Sequence, residues 1–345
     1  MTQPLVTIAM PAFNEEHFIE ACIASVQAQD YPKEQIEILI ADGRSTDRTR
    51  EILARLSAED PRIRMIDNPD RIQAPGLNRL VREARGEIIV RMDVHCEYAP
   101  DYVRKCVETL QRTGADNVGG AQRARAKTTF QRALCAALTS PLGVGGAKYR
   151  SSEAEGFVDT VFLGAFRRRV FEAVGMWDPN AITNEDAELN QRLVDSGGQI
   201  YLSKDIEVYY YPRDSFKTLA RQYFKYGVGR ARTLIKHGRF LTLRPAIPFL
   251  MVTASASMLV VPPLWPIAPA WFAAYALATG AEAVRVGRAG GLRGILTTWG
   301  VFPVLHASHG AGFATGLWRY LRRPDWTAVE RLDSPDDRRA KLRVV

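Results

Sequence analysis

A chain of 345 residues that is 46% hydrophobic can bury one large core with an appendage, and a mean hydropathy of −0.16 is high for a sequence in which 24% of residues are charged. The formal charge of +8 comes with no aromatic-basic or finger motif, which excludes a nucleic-acid partner and leaves an anionic membrane surface as the simpler explanation. Cys22, Cys96, Cys106 and Cys135 show no C-x-x-C spacing, and reduced core thiols are the state expected of them in a cytosolic domain.

Residues 6–10 form a short apolar strand with no charged and apolar leader before it, so the leading domain is expected in the cytosol. Pro11-Ala12-Phe13-Asn14-Glu15-Glu16 turns that strand into a helix carrying Phe18, Ile19, Cys22, Ile23 and Val26 at helical spacing. A second strand, 36–40, runs into Asp42-Gly43-Arg44-Ser45-Thr46-Asp47, whose last three residues are good N-caps for the helix through Ile52, Leu53 and Leu56. A third strand at 63–66 precedes a helix over 75–84, which Gly86 closes. The next strand, 87–95, has Ile88, Ile89, Val90 and Met92 as its apolar run and ends on Asp93 and His95.

Strands alternating with amphipathic helices predict an α/β fold with a parallel, doubly wound sheet and a ligand site along the carboxyl ends of its strands. That puts Asn14, Glu15, Asp42 and Asp93 on one edge. Asp93 and His95, two apart on a strand, would point the same way, and a carboxylate with an imidazole can hold a divalent cation that bridges a diphosphate. The competing readings are turn chemistry and capping for Asn14 and Asp42, and a solvated turn for Asp93 and His95.

Further on, Asp101 caps a helix carrying Val103, Val107 and Leu110, residues 116–119 and 157–164 look like strands, and 129–142 reads as a helix followed by a mobile glycine-rich loop at 143–146. Asn184-Glu185-Asp186-Ala187-Glu188-Leu189 opens another helix, whose acidic first turn would in any case complement the helix dipole. Phe216, Leu219, Tyr223 and Tyr226 recur at helical spacing among Lys217, Arg221, Lys225, Arg230, Arg232 and Lys236, the pattern of a basic amphipathic helix lying in a membrane interface. Residues 245–279 contain no charge. Membrane crossings are expected at 246–261 and 264–283, with a third segment at 295–318, interrupted by His306 and His309, that either spans or re-enters. The expected organisation is a catalytic domain over 1–212, an interfacial region over 213–244, a membrane domain over 245–323 and a charged tail over 324–345.

Taken together and in this order, the segments Pro11 to Glu16, Ile40 to Asp47, Asp93-Val94-His95 and Asn184-Glu185-Asp186 resemble glycosyltransferase family 2 across nearly all of the first 240 residues. The Asp-x-His form and the three hydrophobic segments are most similar to the membrane-bound succinoglycan-biosynthesis type. The resemblance implies a GT-A fold, a Rossmann-like and mostly parallel sheet, here followed by C-terminal transmembrane helices. It also implies an inverting transfer from a nucleoside diphosphate sugar, a UDP-sugar being the expected donor, with Mn2+ or Mg2+ on the diphosphate. By the same resemblance Pro11, Asn14, Glu15, Asp42, Arg44 and Asp93 would line the nucleotide pocket, with Asp42 on the base, and Asp93 and His95 would replace the family's Asp-x-Asp as metal ligands. His95 departs from the commoner pattern and leaves the metal's identity open, and Arg44 stands where a small residue is usual and would add a cation near the phosphates or only a solvated side chain.

Inversion by direct displacement needs one base to take the acceptor hydroxyl's proton. Asp186 matches the family's base, with Glu185 beside it as support. The resemblance sets the acceptor near the segment containing Gly164, Arg167 and Arg168, and a run of arginines suits a diphosphate. Gln222, Lys225 and Arg230 are further candidates, although Gln222-Tyr223-Phe224-Lys225-Tyr226 departs from the Gln-x-x-Arg-Trp signature of processive polymerases at its last two positions. The expected protein is a multi-pass transferase of the inner, cytoplasmic membrane, contacting membrane lipids and extending a lipid-linked (polyprenyl diphosphate) saccharide in exopolysaccharide synthesis. The alternatives are a polyprenyl-phosphate glycosyltransferase and a non-catalytic nucleotide-sugar-binding scaffold.

Overall fold

The computed structural model describes residues 3–146 and 148–333, so residues 334–345 of the expected tail lie outside the described residues. In chain order the elements are β1 (Val6–Ala12), α1 (Ile19–Gln27), β2 (Ile36–Asp42), α2 (Thr49–Glu59), β3 (Ile63–Asp67), α3 (Gln73–Glu83), β4 (Ile88–Arg91), β5 (Cys96–Tyr98), α4 (Tyr102–Thr113) and β6 (Asn117–Ala124). There follow α5 (Thr129–Thr139), α6 (Pro141–Val144), β7 (Gly156–Phe157), β8 (Ala165–Arg167), α7 (Arg169–Ala173), α8 (Glu185–Asp195) and β9 (Ile200–Tyr210). The remaining helices are α9 (Phe216–His237), α10 (Ile247–Val260), α11 (Ala268–Gly287) and α12 (Gly291–Arg322). They form two units. The first comprises 3–123, 152–210 and 327–333, and the second 124–151 and 211–326.

The first unit is built on one sheet in the order β3-β2-β1-β4-β8-β6-β9-β5, with β7 on β9. The four leading strands are mutually parallel, as the strand and helix alternation predicts, and β8 then joins β4 antiparallel. Every residue of β2 is buried, the pattern of a strand covered on both faces, and Ile8, Ile38, Val90, Ile19 and Leu53 share its core with Val103 and Leu110 of α4. Parallel pairing of Ala12 with Asp42, and of Ala9 with Arg91, brings the β1, β2 and β4 carboxyl ends to the same edge.

Two local expectations are corrected here. The strand predicted over 87–95 ends at Arg91, because the Asp93 side chain accepts from the His95 N–H at 2.9 Å and closes a turn instead of continuing the pleat. The strand predicted over 157–164 is interrupted, because Leu163 (φ 62°) and Gly164 (φ 113°) adopt left-handed backbone before β8 begins.

In the second unit α5, α9, α11 and α12 share a core of Leu134, Leu138, Leu219, Tyr223, Ala283, Phe302 and Leu305. The helix expected over 129–142 breaks at Ser140, whose hydroxyl caps α6, and Gly143 belongs to that short helix instead of a loop. The apolar face of α9 is a packing face. Its Gly227 and the Gly312 of α12 allow backbone contact, since a Cβ on either would stand 2.1 Å from the His309 carbonyl oxygen or 2.0 Å from that of Phe224.

The expected multi-pass membrane domain is not found. Among the described residues no helix is long and apolar enough to cross a membrane. α10 has 14 residues, about 21 Å at 1.5 Å per residue against a hydrocarbon core of about 30 Å. α11 dilutes its apolar residues with alanine and glycine and includes Glu282 and Arg285, while α12 carries Arg293, Pro303 and two histidines. His306 is held by packing, with Nδ1 2.9 Å from the Tyr275 hydroxyl and Nε2 2.8 Å from the Leu142 carbonyl. The carbonyl can only accept, so Nε2 carries the proton and Nδ1 accepts from Tyr275.

Candidate active site

The carboxyl edge of the parallel strands is laced together by the residues expected there. Asn14, in left-handed backbone, donates its N–H to Ser45 Oγ at 2.8 Å and accepts the Thr46 N–H on Oδ1 at 2.8 Å, and Glu15 N–H bonds Thr49 Oγ1 at 2.7 Å. The loops after β1 and β2 are therefore one structure. Asp42 is enclosed: Oδ1 accepts from Ser45 Oγ at 2.6 Å and Oδ2 from Arg50 Nη1 at 2.6 Å. Its carboxylate is thus occupied as the anchor of this loop. Arg44, also left-handed, pairs with Asp67 at the end of β3 at 3.0 Å. Pro11 lies within β1 opposite Ala41.

Asp93 and His95 occupy the turn after β4. The Tyr98 hydroxyl donates to the Asp93 carbonyl at 3.1 Å, and the His95 N–H takes Asp93 Oδ1. The His95 ring turns toward the β1–α1 loop, with Nε2 3.1 Å from Glu15 Oε1 and its centroid 4.7 Å from that of the Phe18 ring in an edge-to-face arrangement. Among the described residues no group of three or more His, Cys, Asp or Glu side chains could hold a metal ion. The carboxylate of Asp93 and the imidazole of His95, on one turn, are donor types that fit a divalent cation whose remaining positions phosphates and water would fill.

Arg91 joins this edge to α8. It is the last residue of β4 and almost completely buried, its backbone N–H donates to the Gly164 carbonyl at 2.9 Å, and its Nη2 donates to Glu185 Oε1 at 2.9 Å. Its Nη1 contacts Asp186 Oδ1, the same oxygen that accepts from Trp177 Nε1 at 2.9 Å. Burial opposes the guanidinium's charge, but Asp186, Glu185 and Asp93 outweigh it and hold Arg91 charged. Burial likewise pushes the Glu185 carboxyl up from its ordinary value, with Arg91 opposing and Asp186 adding to the rise. Asp186 is the more open of the two carboxylates, with 21% of its side chain exposed against 9% for Glu185.

The structure does not bring the arginine run to this site. Arg167 pairs with Ile88, at the opposite end of β4 from Asp93, and bonds the Ala115 carbonyl, while Arg168 bonds the Ala84 carbonyl. Both cap backbone ends. Gly164 is at the site, beside Arg91. Gln222, Lys225 and Arg230 lie on α9 in the second unit, where Gln222 Nε2 donates to the Tyr226 hydroxyl at 3.0 Å. Arg91, Trp177 and Arg50 were not among the residues expected from sequence. Arg91 had a signal, since a charge inside the apolar run Ile88-Ile89-Val90-Arg91-Met92 demands a buried counter-charge.

Comparison with known proteins bears on this arrangement. The family model "Glycosyl transferase family 2" matches residues 7–175. The succinoglycan biosynthesis protein ExoA of Rhizobium meliloti (strain 1021) is 39% identical over 250 residues, covering 72% of this chain and 76% of that protein. The dolichyl N-acetyl-alpha-D-glucosaminyl phosphate 3-beta-D-2,3-diacetamido-2,3-dideoxy-beta-D-glucuronosyltransferase of Methanococcus voltae is 29% identical, covering 68% of this chain and 75% of that protein. Among solved structures, the mannosyltransferase PcManGT of Pyrobaculum calidifontis, in complex with GDP-Man and Mn2+, superposes with a TM-score of 0.63 at 21% identity over 92% of this chain and 88% of that one, a likeness of fold. With the GT-A-like sheet, its lettered edge of Asn14, Asp42 and Asp93, and this degree of identity to ExoA, the chain belongs to glycosyltransferase family 2.

Proposed function

We propose that this transferase moves a sugar, with inversion, from a nucleoside diphosphate sugar to a lipid-linked saccharide in the synthesis of an exopolysaccharide or cell-surface polysaccharide. The observation that carries the proposal is the buried Arg91, which ties the strand leading to Asp93 directly to the helix bearing Asp186. A donor-side carboxylate and an acceptor-side carboxylate are thereby held on one edge, as in-line displacement requires. The relatives named for succinoglycan synthesis and for a dolichyl-linked acceptor support the substrate class.

In this mechanism the Asn14, Asp42 and Ser45 lattice shapes the nucleotide pocket, and Pro11, Glu15 and Arg44 border it. Asp93 and His95 would hold a divalent ion, Mn2+ or Mg2+, whose chemistry is to neutralise the departing diphosphate. Asp186 takes the proton of the acceptor hydroxyl as its oxygen bonds to the anomeric carbon and the bond to the diphosphate oxygen breaks. Glu185, buried and bonded to Arg91, supports the arrangement and stays out of the proton transfer.

The test is transfer by the full-length protein from a panel of UDP-, GDP- and dTDP-sugars to a polyprenyl diphosphate saccharide with Mn2+ or Mg2+, with the anomeric configuration of the product read by NMR. One donor giving an inverted linkage is the expected result. Nucleotide-sugar binding with no transfer to any such acceptor would replace the proposal with a binding scaffold, and transfer to bare polyprenyl phosphate would change the acceptor class.

A further inference from the structure

The two oxygens of Asp186 are treated differently. Oδ1 receives both the Trp177 Nε1–H and the Arg91 guanidinium, whereas among the described residues Oδ2 receives no hydrogen bond. Both donors are themselves fixed. Arg91 is held at its backbone by the Gly164 carbonyl and at Nη2 by Glu185. Trp177 is fully buried, its N–H and carbonyl are bonded reciprocally by the Asn78 side chain at 2.9 and 2.8 Å, and its ring packs edge-on to Phe166 at 5.7 Å and tilted on Phe171 at 5.0 Å.

A carboxylate on a short side chain can rotate about its last bond. Two immobile donors on one oxygen remove that freedom and leave the other oxygen in a defined place. Taking Asp186 as the base, as proposed above, we infer that Arg91 and Trp177 are positioning residues for transfer: by holding Oδ1 from two sides they present Oδ2 as the oxygen that accepts the acceptor hydroxyl's proton. The role suits Arg over Lys, because the rigid planar fork offers a separate nitrogen to each carboxylate, Nη2 to Glu185 and Nη1 to Asp186, where a lysine would share one. It also gives a reason for a tryptophan in this core, where a phenylalanine would fill much of the same space but could donate nothing.

The experiment is a pair of cycles in the full-length protein. Trp177→Phe and Arg91→Lys are each made alone and together with Asp186→Asn, and kcat, donor KM, UDP affinity and melting temperature are measured. Each single variant is expected to lower kcat about ten- to a hundredfold, the range for losing a bond to a charged group or misplacing a reacting one, with donor KM and UDP affinity within about twofold of the parent. Once Asp186 is Asn there is no proton acceptor left to position, so the same changes should then cost less than about threefold. A purely structural role would lower the melting temperature and act equally in both backgrounds. The inference is overturned if the effects multiply in the double variants, or if folded Trp177→Phe keeps its kcat. Should Arg91→Lys fail to fold, the Trp177 cycle alone decides. Full turnover by Asp186→Asn would instead remove the base itself and with it the reading on which this inference rests.

Discussion

Asp186→Asn and Glu185→Gln should separate along two axes, rate and stability, because the two carboxylates have different surroundings. Asn at 186 keeps an oxygen that can accept from Trp177 Nε1 and loses its ion pair with Arg91 and the capacity to take a proton. Loss of a general base costs about 100- to 10,000-fold, which at about 1.4 kcal/mol per factor of ten is roughly 3 to 5.5 kcal/mol of transition-state stabilisation. Glu185 is 7% exposed and bonded to Arg91, itself 3% exposed. Removing one partner of a buried pair costs about 3–5 kcal/mol, and because a glutamine oxygen still accepts from Nη2 the loss should fall toward the lower end of that range or below it. Asp186→Asn is therefore expected to show near-normal UDP affinity with kcat reduced at least a hundredfold and, its carboxylate being the more exposed of Arg91's two partners, a smaller fall in melting temperature than Glu185→Gln, which should keep kcat within about tenfold of the parent. Steady-state transfer, calorimetric UDP binding and thermal melts measure all three quantities. A hundredfold loss in Glu185→Gln with unaltered melting, and an active Asp186→Asn, would move the base by one residue; if neither slows transfer, α8 does not supply the base.

Asp93→Ala should abolish Mn2+-dependent binding of UDP, and His95→Ala should weaken it or shift the preference between Mn2+ and Mg2+, both read by calorimetry with and without metal. In the helical unit, burial first, then Arg230 and His306, depress the His309 pKa from 6.5 to about 4. Its contribution to stability is thus full above about pH 6.5 and is lost as pH falls toward 4, where the unfolded chain binds a proton that the folded one refuses. The shift corresponds to roughly 3 kcal/mol, so urea midpoints should drop across that window and His309→Gln should flatten the dependence. Gly312→Ala would place a Cβ 2.0 Å from the Phe224 carbonyl oxygen and should lower the melting temperature by forcing α9 from α12, at a cost of about 1–3 kcal/mol or more.

Much of the sheet was legible because its signal is local. Apolar runs such as Ile36 to Ile40, followed by helices with apolar residues at three- and four-residue spacing, permit little else than parallel strands with crossovers, and β1 to β3 fall where that pattern puts them, while β4 begins there and stops short at Arg91. The membrane crossings were misplaced because a stretch without charge was counted by its length in residues, whereas a crossing also needs one unbroken and sufficiently apolar helix. What distinguishes α12 is Gly310, Gly312 and Gly316, on which a Cβ would clash with Pro248, Phe224 or Ala231 and Val228, and close approach of that kind depends on partners more than fifty residues away in sequence. α10 differs in length alone, since Val261 and the prolines after it stop the helix at 14 residues.

The candidate site's residue types were visible in the sequence, and their contacts were not. Asp93, His95, Glu185 and Asp186 could be picked out because carboxylates and imidazoles at strand ends and helix starts carry chemistry, but which oxygen faces which donor is a tertiary fact. The strand argument set Asp93 and His95 two apart at a strand's end; an Asx turn holds them there, and the approach of the imidazole to Glu15 and Phe18 depends on residues distant in sequence. The arginine run at 167–169 drew attention through its charge, yet the single arginine inside an apolar strand is the one at the site. The difference is energetic. Arginines that keep part of their surface in water and meet backbone carbonyls, as Arg167 and Arg168 do, cost little, while burying Arg91 costs several kcal/mol unless carboxylates meet it. A buried charge therefore constrains its surroundings, and here it requires that α8 bring Glu185 and Asp186 to the end of β4, next to the residue pair proposed for the metal.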